Sequence, residues 1–249
     1  PDARNTPDGL YVFSCGIAAK QMADKVNARI VSNGVKGEVH TYSVTDYAES
    51  VINAASGVYS DKAVNAVKAM LNYGTAAQQY FGYNTDNPAN SIMTDDDKNM
   101  DMVGFNTYTG KLVNADSVSG ISYYGSSLVL ESDTILRNYF ELSDGYSIDN
   151  YTFYVKDKDG NKNIIVPQKT DASLYYIDIS NVKAYELADN VNIYVQKNGD
   201  SEDKIMMLEY GAYVYARYVD KYLDNTALKN LMTAMYHYCN AATEYANIY

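Results

Sequence analysis

Alternation of apolar and polar positions predicts β-strands in residues 120–196. The clearest segment, residues 135–142, has the period of two that is typical of a strand with one buried face. Further strands are predicted at residues 151–156, 163–166, 174–179 and 191–195, the first two joined by the turn Asp159-Gly160. Together these segments predict a small antiparallel β-sandwich.

Apolar positions three and four residues apart predict helices after the strands. Asp61 is expected to cap one helix, which reaches about Phe81 and is ended by Gly82. Asn225 or Thr226 is expected to cap a second helix. Residues 205–222 are apolar almost all round, which predicts a helix buried on most sides. The corresponding helix earlier in the chain is expected at residues 45–55.

Two segments of the chain recur at a fixed offset of 165 positions. Residues 19–27 match residues 184–192 with five identities, and residues 70–80 match residues 235–245. Residues 11–84 and 176–249 are therefore predicted to be two copies of one unit. The predicted fold is α+β, a bilobed tandem duplication in which a small antiparallel sandwich or sheet precedes a helix cluster. The expected domains are residues 1–95, a first copy truncated at its N-terminus, and residues 96–249, the complete second copy.

The first copy lacks a counterpart of residues 102–175. Either the native chain continues upstream or the first copy has lost that part. Residues 1–9 are interpreted as a linker. The strands expected at residues 10–14 and 26–32 then lack partners, and exposed strand edges invite pairing. We expect these two strands to pair with each other or with the sheet of the second copy.

Composition and charge restrict the class of partner. The chain has 249 residues, of which 47% are hydrophobic and 20% charged, as in a folded soluble protein. A net charge of −11 makes nucleic acid and anionic membranes poor partners but leaves neutral glycans unaffected. No apolar run approaches the roughly 20 residues that span a bilayer. The 27 tyrosines combine apolar ring faces with polar edges, which suits the faces and hydroxyls of sugars.

Candidates for chemistry are few, and we predict that the protein is not an enzyme. The two histidines, His40 and His237, are not equivalent in the repeat, and no motif of a hydrolase or phosphate loop occurs. Residues 157–163 resemble a calcium loop but are interpreted as a hairpin turn, and residues 95–97 as a solvated linker. Cys15 and Cys239 are interpreted as buried thiols, with a mutual disulfide as the alternative. No metal site and no cofactor are predicted.

The segment after the first long helix is the leading candidate for a binding site. Aromatic rings for stacking stand there beside amides and a carboxylate that bond sugar hydroxyls; a helix stop followed by an Asx-type turn is the alternative. We predict a carbohydrate-binding groove between the two copies, with one wall formed by the loop and the other by tyrosines of the second copy. The predicted site residues are Tyr83, Asn84, Asp86, Asn87, Tyr123, Tyr124 and Tyr236.

The chain also resembles a repeat of large surface proteins of gut Firmicutes such as Ruminococcus. The resemblance rests on residues 68–87 (KAMLNYGTAAQQYFGYNTDN), 124–132 (YGSSLVLES) and 136–140 (LRNYF). Proteins of this kind include starch adherence proteins of the Ruminococcus amylosome, whose domains pair a β-sandwich with a helix cluster and bind α-glucan.

The resemblance implies a non-catalytic protein that is extracellular and associated with the cell surface. It implies starch or maltooligosaccharides as partners, and other amylosome components through regions outside this chain. The absence of tryptophan departs from most glucan binders. The alternative is a structural or protein-interaction module of a bacterial cell-surface protein.

Overall fold

The protein is an α+β structure of four α-helices and several small antiparallel sheets in the described part of the chain. The computed structural model describes residues 2–5, 11–102, 118–130, 133–157, 159–180, 182–187, 189–200, 204–209 and 224–247, with backbone only for 2–5, 190 and 206–209.

The N-terminal part contains six short strands and three helices. The strands are β1 (Asp2–Asn5), β2 (Tyr11–Ser14), β3 (Val26–Ala28), β4 (Val31–Ser32), β5 (Val35–Lys36) and β6 (His40–Tyr42). The helices are α1 (Val44–Ile52), α2 (Asp61–Phe81) and α3 (Asp95–Lys98), and a 3₁₀ turn covers Ala19–Gln21. Ser43, Ser60 and Thr94 cap the three helices through their hydroxyls. The cap of α2 is therefore Ser60 and not the predicted Asp61, which is the first residue of the helix.

The C-terminal part contains eight strands and one long helix. The strands are β7 (Ile121–Leu130), β8 (Thr134–Leu142), β9 (Tyr151–Lys156), β10 (Lys162–Ile165), β11 (Gln168–Lys169), β12 (Tyr175–Ile179), β13 (Asn190–Lys197) and β14 (Lys204–Glu209). The helix is α4 (Thr226–Ala246), which Asn225 caps, and 3₁₀ turns cover Ile148–Asn150 and Ala184–Glu186.

Two four-stranded antiparallel sheets share one hydrophobic core. Their strand orders are β11-β12-β8-β7 and β10-β9-β13-β14. Phe140 of β8 and Phe153 of β9 meet between the sheets, with ring centroids 5.1 Å apart. The strands predicted at 135–142, 151–156, 163–166, 174–179 and 191–195 are all present, and the hairpin at Asp159-Gly160 joins β9 to β10.

The long helices α2 and α4 form a second hydrophobic core. Leu71 and Tyr73 of α2 are buried in it together with Leu231 and Met235 of α4. Ala48 of α1 joins the same core. The N-terminal half of α2 faces the C-terminal half of α4, so the two helices run antiparallel. Both halves of the chain therefore contribute to a single helical core.

Several elements recur at the spacing seen in the sequence. Helices α2 and α4 each have 21 residues and begin at Asp61 and Thr226, 165 positions apart. The 3₁₀ turns Ala19–Gln21 and Ala184–Glu186 begin at the same spacing. Strands β2 and β12 end at Ser14 and Ile179, which are also 165 positions apart. The turn dipeptides Asn33-Gly34 and Asn198-Gly199 also correspond, and both glycines have positive φ.

The predicted helix at residues 205–222 is wrong at its start. Lys204–Glu209 is strand β14, which pairs with β13 from Asn190 to Val195. An apolar run without clear alternation does not distinguish a buried strand from a buried helix, and pairing with β13 decides the outcome here. Residues 210–223 lie outside the described residues. The counterpart expected at 45–55 is confirmed as α1.

The pairing expected for the N-terminal strands is also wrong. Strand β2 pairs with β1, so part of the segment interpreted as a linker is a strand. Strand β3 pairs with β6, and β4 pairs with β5 through the Asn33-Gly34 turn. Each strand thus finds a partner nearby in sequence, where closing the intervening loop costs little entropy.

Two smaller interpretations are corrected as well. Cys15 is exposed, whereas Cys239 is buried as expected, and both thiols are free. Residues 95–97 begin the short helix α3 instead of a linker. The Asp97 carboxylate accepts a hydrogen bond from Lys68 Nζ at 2.8 Å, and this bond lowers the pKa of Asp97.

Candidate functional site

The loop that follows α2 is organised by one buried amide. Gly82 ends the helix in the left-handed conformation, with φ of 60°. Gln78, in the last turn of the helix, donates from Nε2 to the carbonyl oxygens of Asn84 and Asn87, at 3.3 and 3.0 Å. Its Oε1 accepts from the Ala89 amide at 2.8 Å. The loop is therefore fixed to the helix end by three hydrogen bonds to a single side chain.

Two predicted binding residues in this loop are engaged with Asp24. The Tyr83 hydroxyl donates to Asp24 Oδ2 at 2.5 Å, and Asn84 Nδ2 donates to Asp24 Oδ1 at 3.2 Å. The bond to Asp24 raises the pKa of Tyr83. Lys20 Nζ lies 5.9 Å from the centroid of the Tyr83 ring. These contacts attach the loop to the segment after the first 3₁₀ turn.

The remaining predicted residues lie in separate surroundings. Asp86 and Asn87 are exposed on the same loop. Tyr123 is half-buried on β7, where its hydroxyl is 2.7 Å from Ser126 Oγ and its ring meets Phe140 edge-on. Tyr124 is the extra residue of a β-bulge in β7 and is exposed. Tyr236 packs at the margin of the helical core on α4.

The four predicted site residues of the loop lie together, but the seven predicted site residues do not line one described groove. Two larger grooves are described, both on the α2–α4 helix pair, and none of the seven residues lines either of them. The sequence-based site therefore stays a prediction. The grooves themselves involve other side chains.

The first groove is lined by four tyrosines and has a volume of about 220 Å³. It lies where the N-terminal half of α2, the C-terminal half of α4 and α1 meet. Tyr47 of α1 is 60% exposed at its edge, and Tyr59 lies just before α2. Tyr238 and Tyr245 line it from α4. We call this the tyrosine groove.

Packing fixes the shape of the tyrosine groove. Tyr238 stacks on the buried Tyr73 of α2, with ring centroids 5.8 Å apart and planes 24° apart. Burial raises the pKa of the Tyr238 hydroxyl. Ala63, Ala66 and Ala242 form part of the lining, and their small side chains leave the space between the rings open. The rings are thus presented around an apolar floor.

A second groove has a volume of about 410 Å³ and is lined by polar as well as apolar side chains. Asn72, Thr75 and Gln79 of α2 and Asn230 and Thr233 of α4 contribute to its lining. Asn72 and Thr75 also form hydrogen bonds with the segment that follows α2. Asn90 donates from its backbone amide to Thr75 Oγ1 at 2.9 Å and from Nδ2 to Asn72 Oδ1 at 2.8 Å. Asn72 Nδ2 donates to the Asp97 carbonyl.

The tyrosine groove was missed in the sequence because its residues are dispersed. Tyr238 and Tyr245 match Tyr73 and Tyr80 at the repeat offset, which favoured a packing role. Tyr47 and Tyr59 stand at the same offset from Ala212 and Asp224. A search for aromatic residues present in only one of the two predicted copies would have included Tyr47 and Tyr59.

The groove suits recognition of a neutral ligand by stacking. Tyrosine faces supply apolar area and their hydroxyls supply donors and acceptors at the rim. The described lining of the tyrosine groove contains no Asp, Glu, His, Lys or Arg. In the described part of the chain, no cluster of three or more His, Cys, Asp or Glu side chains could hold a metal ion.

Comparison with protein families, with curated proteins and with solved structures gave no match. Among the described residues, no helix combines the length and the hydrophobicity needed to cross a membrane.

Proposed function

We propose that the protein is a non-catalytic carbohydrate-binding protein and that its ligand binds in the tyrosine groove. The observation that carries the proposal is the convergence of Tyr47, Tyr59, Tyr238 and Tyr245 on one open apolar space. Sugar rings stack on aromatic faces through their apolar C–H faces, and their hydroxyls bond to polar atoms at the rim. The resemblance to surface repeats of gut Firmicutes makes α-1,4-glucan chains the preferred ligand and the bacterial cell surface the preferred location.

We further propose that the chain is a tandem duplication. Residues 1–95 form the first unit and residues 96–249 the second, with 11–84 equivalent to 176–249. The common spacing of 165 between the long helices and between the 3₁₀ turns supports this. In this proposal the two lobes are the strand portions of the units, and the helices join them.

Calorimetry with maltoheptaose tests the ligand and the site together. Tyr47→Ala and Tyr59→Ala should each weaken binding about 5- to 100-fold, because one stacked ring contributes about 1–3 kcal/mol. Tyr124→Ala removes an exposed tyrosine outside the groove and should leave the affinity unchanged. Binding should be flat between pH 5 and 8, and no reducing sugar should appear during incubation with starch.

The variants distinguish the tyrosine groove from the site predicted from the sequence. The choice of polysaccharide distinguishes starch binding from carbohydrate binding in general. Weakening by Tyr124→Ala alone would move the site to the residues predicted from the sequence. Wild-type protein that gives no heat with any α-glucan would overturn starch binding. A panel of other neutral polysaccharides then decides whether carbohydrate binding itself is wrong.

A further inference from the structure

Four carboxamide side chains line the second groove of the helix pair. They are Asn72 and Gln79 of α2, Asn230 of α4, and Asn90 of the segment that follows α2. We call this the amide groove. Its volume of about 410 Å³ lies within the range of roughly 300–1,000 Å³ that is usual for ligand pockets. Each carboxamide has an acceptor oxygen and an amino group that donates two hydrogen bonds, so the lining can recognise polar ligands.

Asn90 is buried with an acceptor that no described residue uses. The side chain is 9% exposed, and its Nδ2 donates to Asn72 Oδ1 at 2.8 Å. The Asp97 carbonyl can only accept, so Asn72 must turn Nδ2 towards it and Oδ1 towards Asn90. Asn90 therefore donates from Nδ2, and no donor among the described residues reaches its Oδ1. A ligand that donates to this oxygen would remove the cost of burying it unpaired.

Other polar groups of the amide groove complement this acceptor. The Thr75 hydroxyl accepts from the Asn90 backbone amide at 2.9 Å, which leaves its own hydrogen as a donor. Gln79 is exposed and Asn230 is half-buried, and neither carboxamide is hydrogen-bonded to another described residue. Donors and acceptors from both helices thus line the same space.

The charges around the amide groove favour a neutral ligand. The described lining contains no Asp or Glu, and its one cation, Lys98, lies with Nζ 3.6 Å from Asp95 Oδ1. The nearby Lys68 is paired with Asp97 at 2.8 Å. The net charge of −11 repels anions from the molecule. An uncharged ligand rich in hydroxyl groups suits this lining best, because every hydroxyl both donates and accepts.

We propose that the amide groove is a second carbohydrate site, which binds one sugar residue through its hydroxyl groups. One hydroxyl donates to Asn90 Oδ1, and neighbouring hydroxyls bond to the carboxamides of Gln79 and Asn230. The class of ligand rests on the proposed carbohydrate-binding function, but the site shares no residue with the tyrosine groove.

The two grooves lie on opposite sides of α2. Met70 lines the tyrosine groove and Asn72 the amide groove, and two residues correspond to about 200° around an α-helix. A sugar in one groove therefore does not block the other. One molecule then holds two glucan chains at once, which raises the avidity for a polysaccharide that presents many chains.

Methionine methyl groups report on each groove separately. Met100 and Met102 line the amide groove, and Met70 lines the tyrosine groove. In nuclear magnetic resonance spectra of protein with isotope-labelled methionine methyl groups, D-glucose should shift the Met100 and Met102 signals in a saturable way. The dissociation constant should be on the order of millimolar, because a single sugar has few atoms. Met70→Leu, Met100→Leu and Met102→Leu assign the signals.

Substitutions in the amide groove should weaken glucose binding selectively. Asn230→Ala and Gln79→Leu should each raise the dissociation constant about 2- to 12-fold, the loss expected of one hydrogen bond. The matched control is Asn240→Ala, at an exposed asparagine of α4 that lines neither groove, and it should bind glucose like wild type. Tyr47→Ala, in the tyrosine groove, should also leave the response of Met100 to glucose unchanged.

The outcomes distinguish this proposal from that of the tyrosine groove. Absence of a saturable response at Met100 and Met102 overturns the amide groove as a site, as does equal affinity of wild type, Asn230→Ala and Gln79→Leu for glucose. If maltoheptaose shifts Met70 while glucose shifts neither of the other two, the tyrosine groove is retained and the amide groove is rejected. A response of Met100 and Met102 to glucose without any response of Met70 to maltoheptaose supports the amide groove and rejects the tyrosine groove.

Discussion

At the scale of single residues, the tyrosines serve in different ways. Tyr73 and Tyr238 are stacked inside the helix pair, and burial raises the pKa of both hydroxyls. Tyr47 and Tyr124 are exposed. The environment of each ring decides whether it packs in a core or is available to a ligand.

The buried Tyr238 hydroxyl should make stability fall at alkaline pH. An ordinary tyrosine pKa is about 10, so above that pH the unfolded chain loses a proton that the folded protein keeps. The stabilising contribution is fully present below pH 10 and is lost as pH rises through the folded-state pKa. Above pH 10, Tyr238→Phe should make the fall in unfolding free energy with pH shallower, by at most about 1.4 kcal/mol per pH unit, measured by urea unfolding.

The matched control is Tyr124→Phe, which removes the hydroxyl of an exposed tyrosine. An unchanged slope for Tyr238→Phe would mean that this hydroxyl reaches water in the folded protein.

The predicted site in the loop after α2 could be derived from the sequence only in part. The sequence identified Tyr83 and Asn84 as polar and aromatic groups in an exposed loop, and the structure has them there. It could not show that both donate to Asp24, about 60 positions earlier in the chain. A contact of that sequence separation depends on how the 3₁₀ turn packs on α2, which no local pattern determines.

At the scale of elements, the end of α2 and its loop depend on Gln78. This side chain is 1% exposed and satisfies two carbonyl groups and one amide of the loop. Gln78→Leu keeps the approximate volume but removes all three hydrogen bonds. It should lower the unfolding free energy by about 1–3 kcal/mol, because the buried Ala89 amide is left without its acceptor and two loop carbonyls lose a donor. Urea unfolding measures the loss.

Gln79→Leu is the matched control, because Gln79 is the adjacent, exposed residue of the same helix turn. It should change stability by less than about 0.5 kcal/mol. Hydrogen exchange should accelerate in residues 84–89 for Gln78→Leu alone. Equal effects of the two substitutions would contradict the role given to Gln78.

Elements with strong local signals were predictable, and one without them was not. The end of α2 before Gly82 and the cap of α4 at Asn225 follow from side-chain chemistry within a few residues. Lys204–Glu209 carries Met, Leu and Glu, which favour helices, and it is nevertheless a strand. Its backbone pairs with β13, and this tertiary pairing outweighs the weak local preference.

At the scale of the whole molecule, the repeat offset was visible in the sequence but the common helical core was not. Equivalent elements occur at the spacing of 165, as the matched segments implied. Sequence similarity between two copies does not reveal whether they pack together or apart. The structure places buried residues of α1, α2 and α4 in one core, while Leu128 and Val182 contact both this core and that of the sandwich.

The shared core predicts that the two proposed units, residues 1–95 and 96–249, do not fold independently. In the intact protein, Leu71 of α2 and Leu231 of α4 are each 0% exposed in the same cluster. Residues 1–95 expressed alone would expose the α2 face that α4 covers and would retain only part of the core, which is a severe loss for so short a chain.

We expect this fragment to show no cooperative urea transition by circular dichroism, and we expect addition of residues 96–249 to restore one. The full-length protein should unfold in a single transition with coincident far-ultraviolet and tyrosine signals. Cooperative unfolding of residues 1–95 alone, at a midpoint matching the first of two transitions in the full-length protein, would show instead that the units are separate domains.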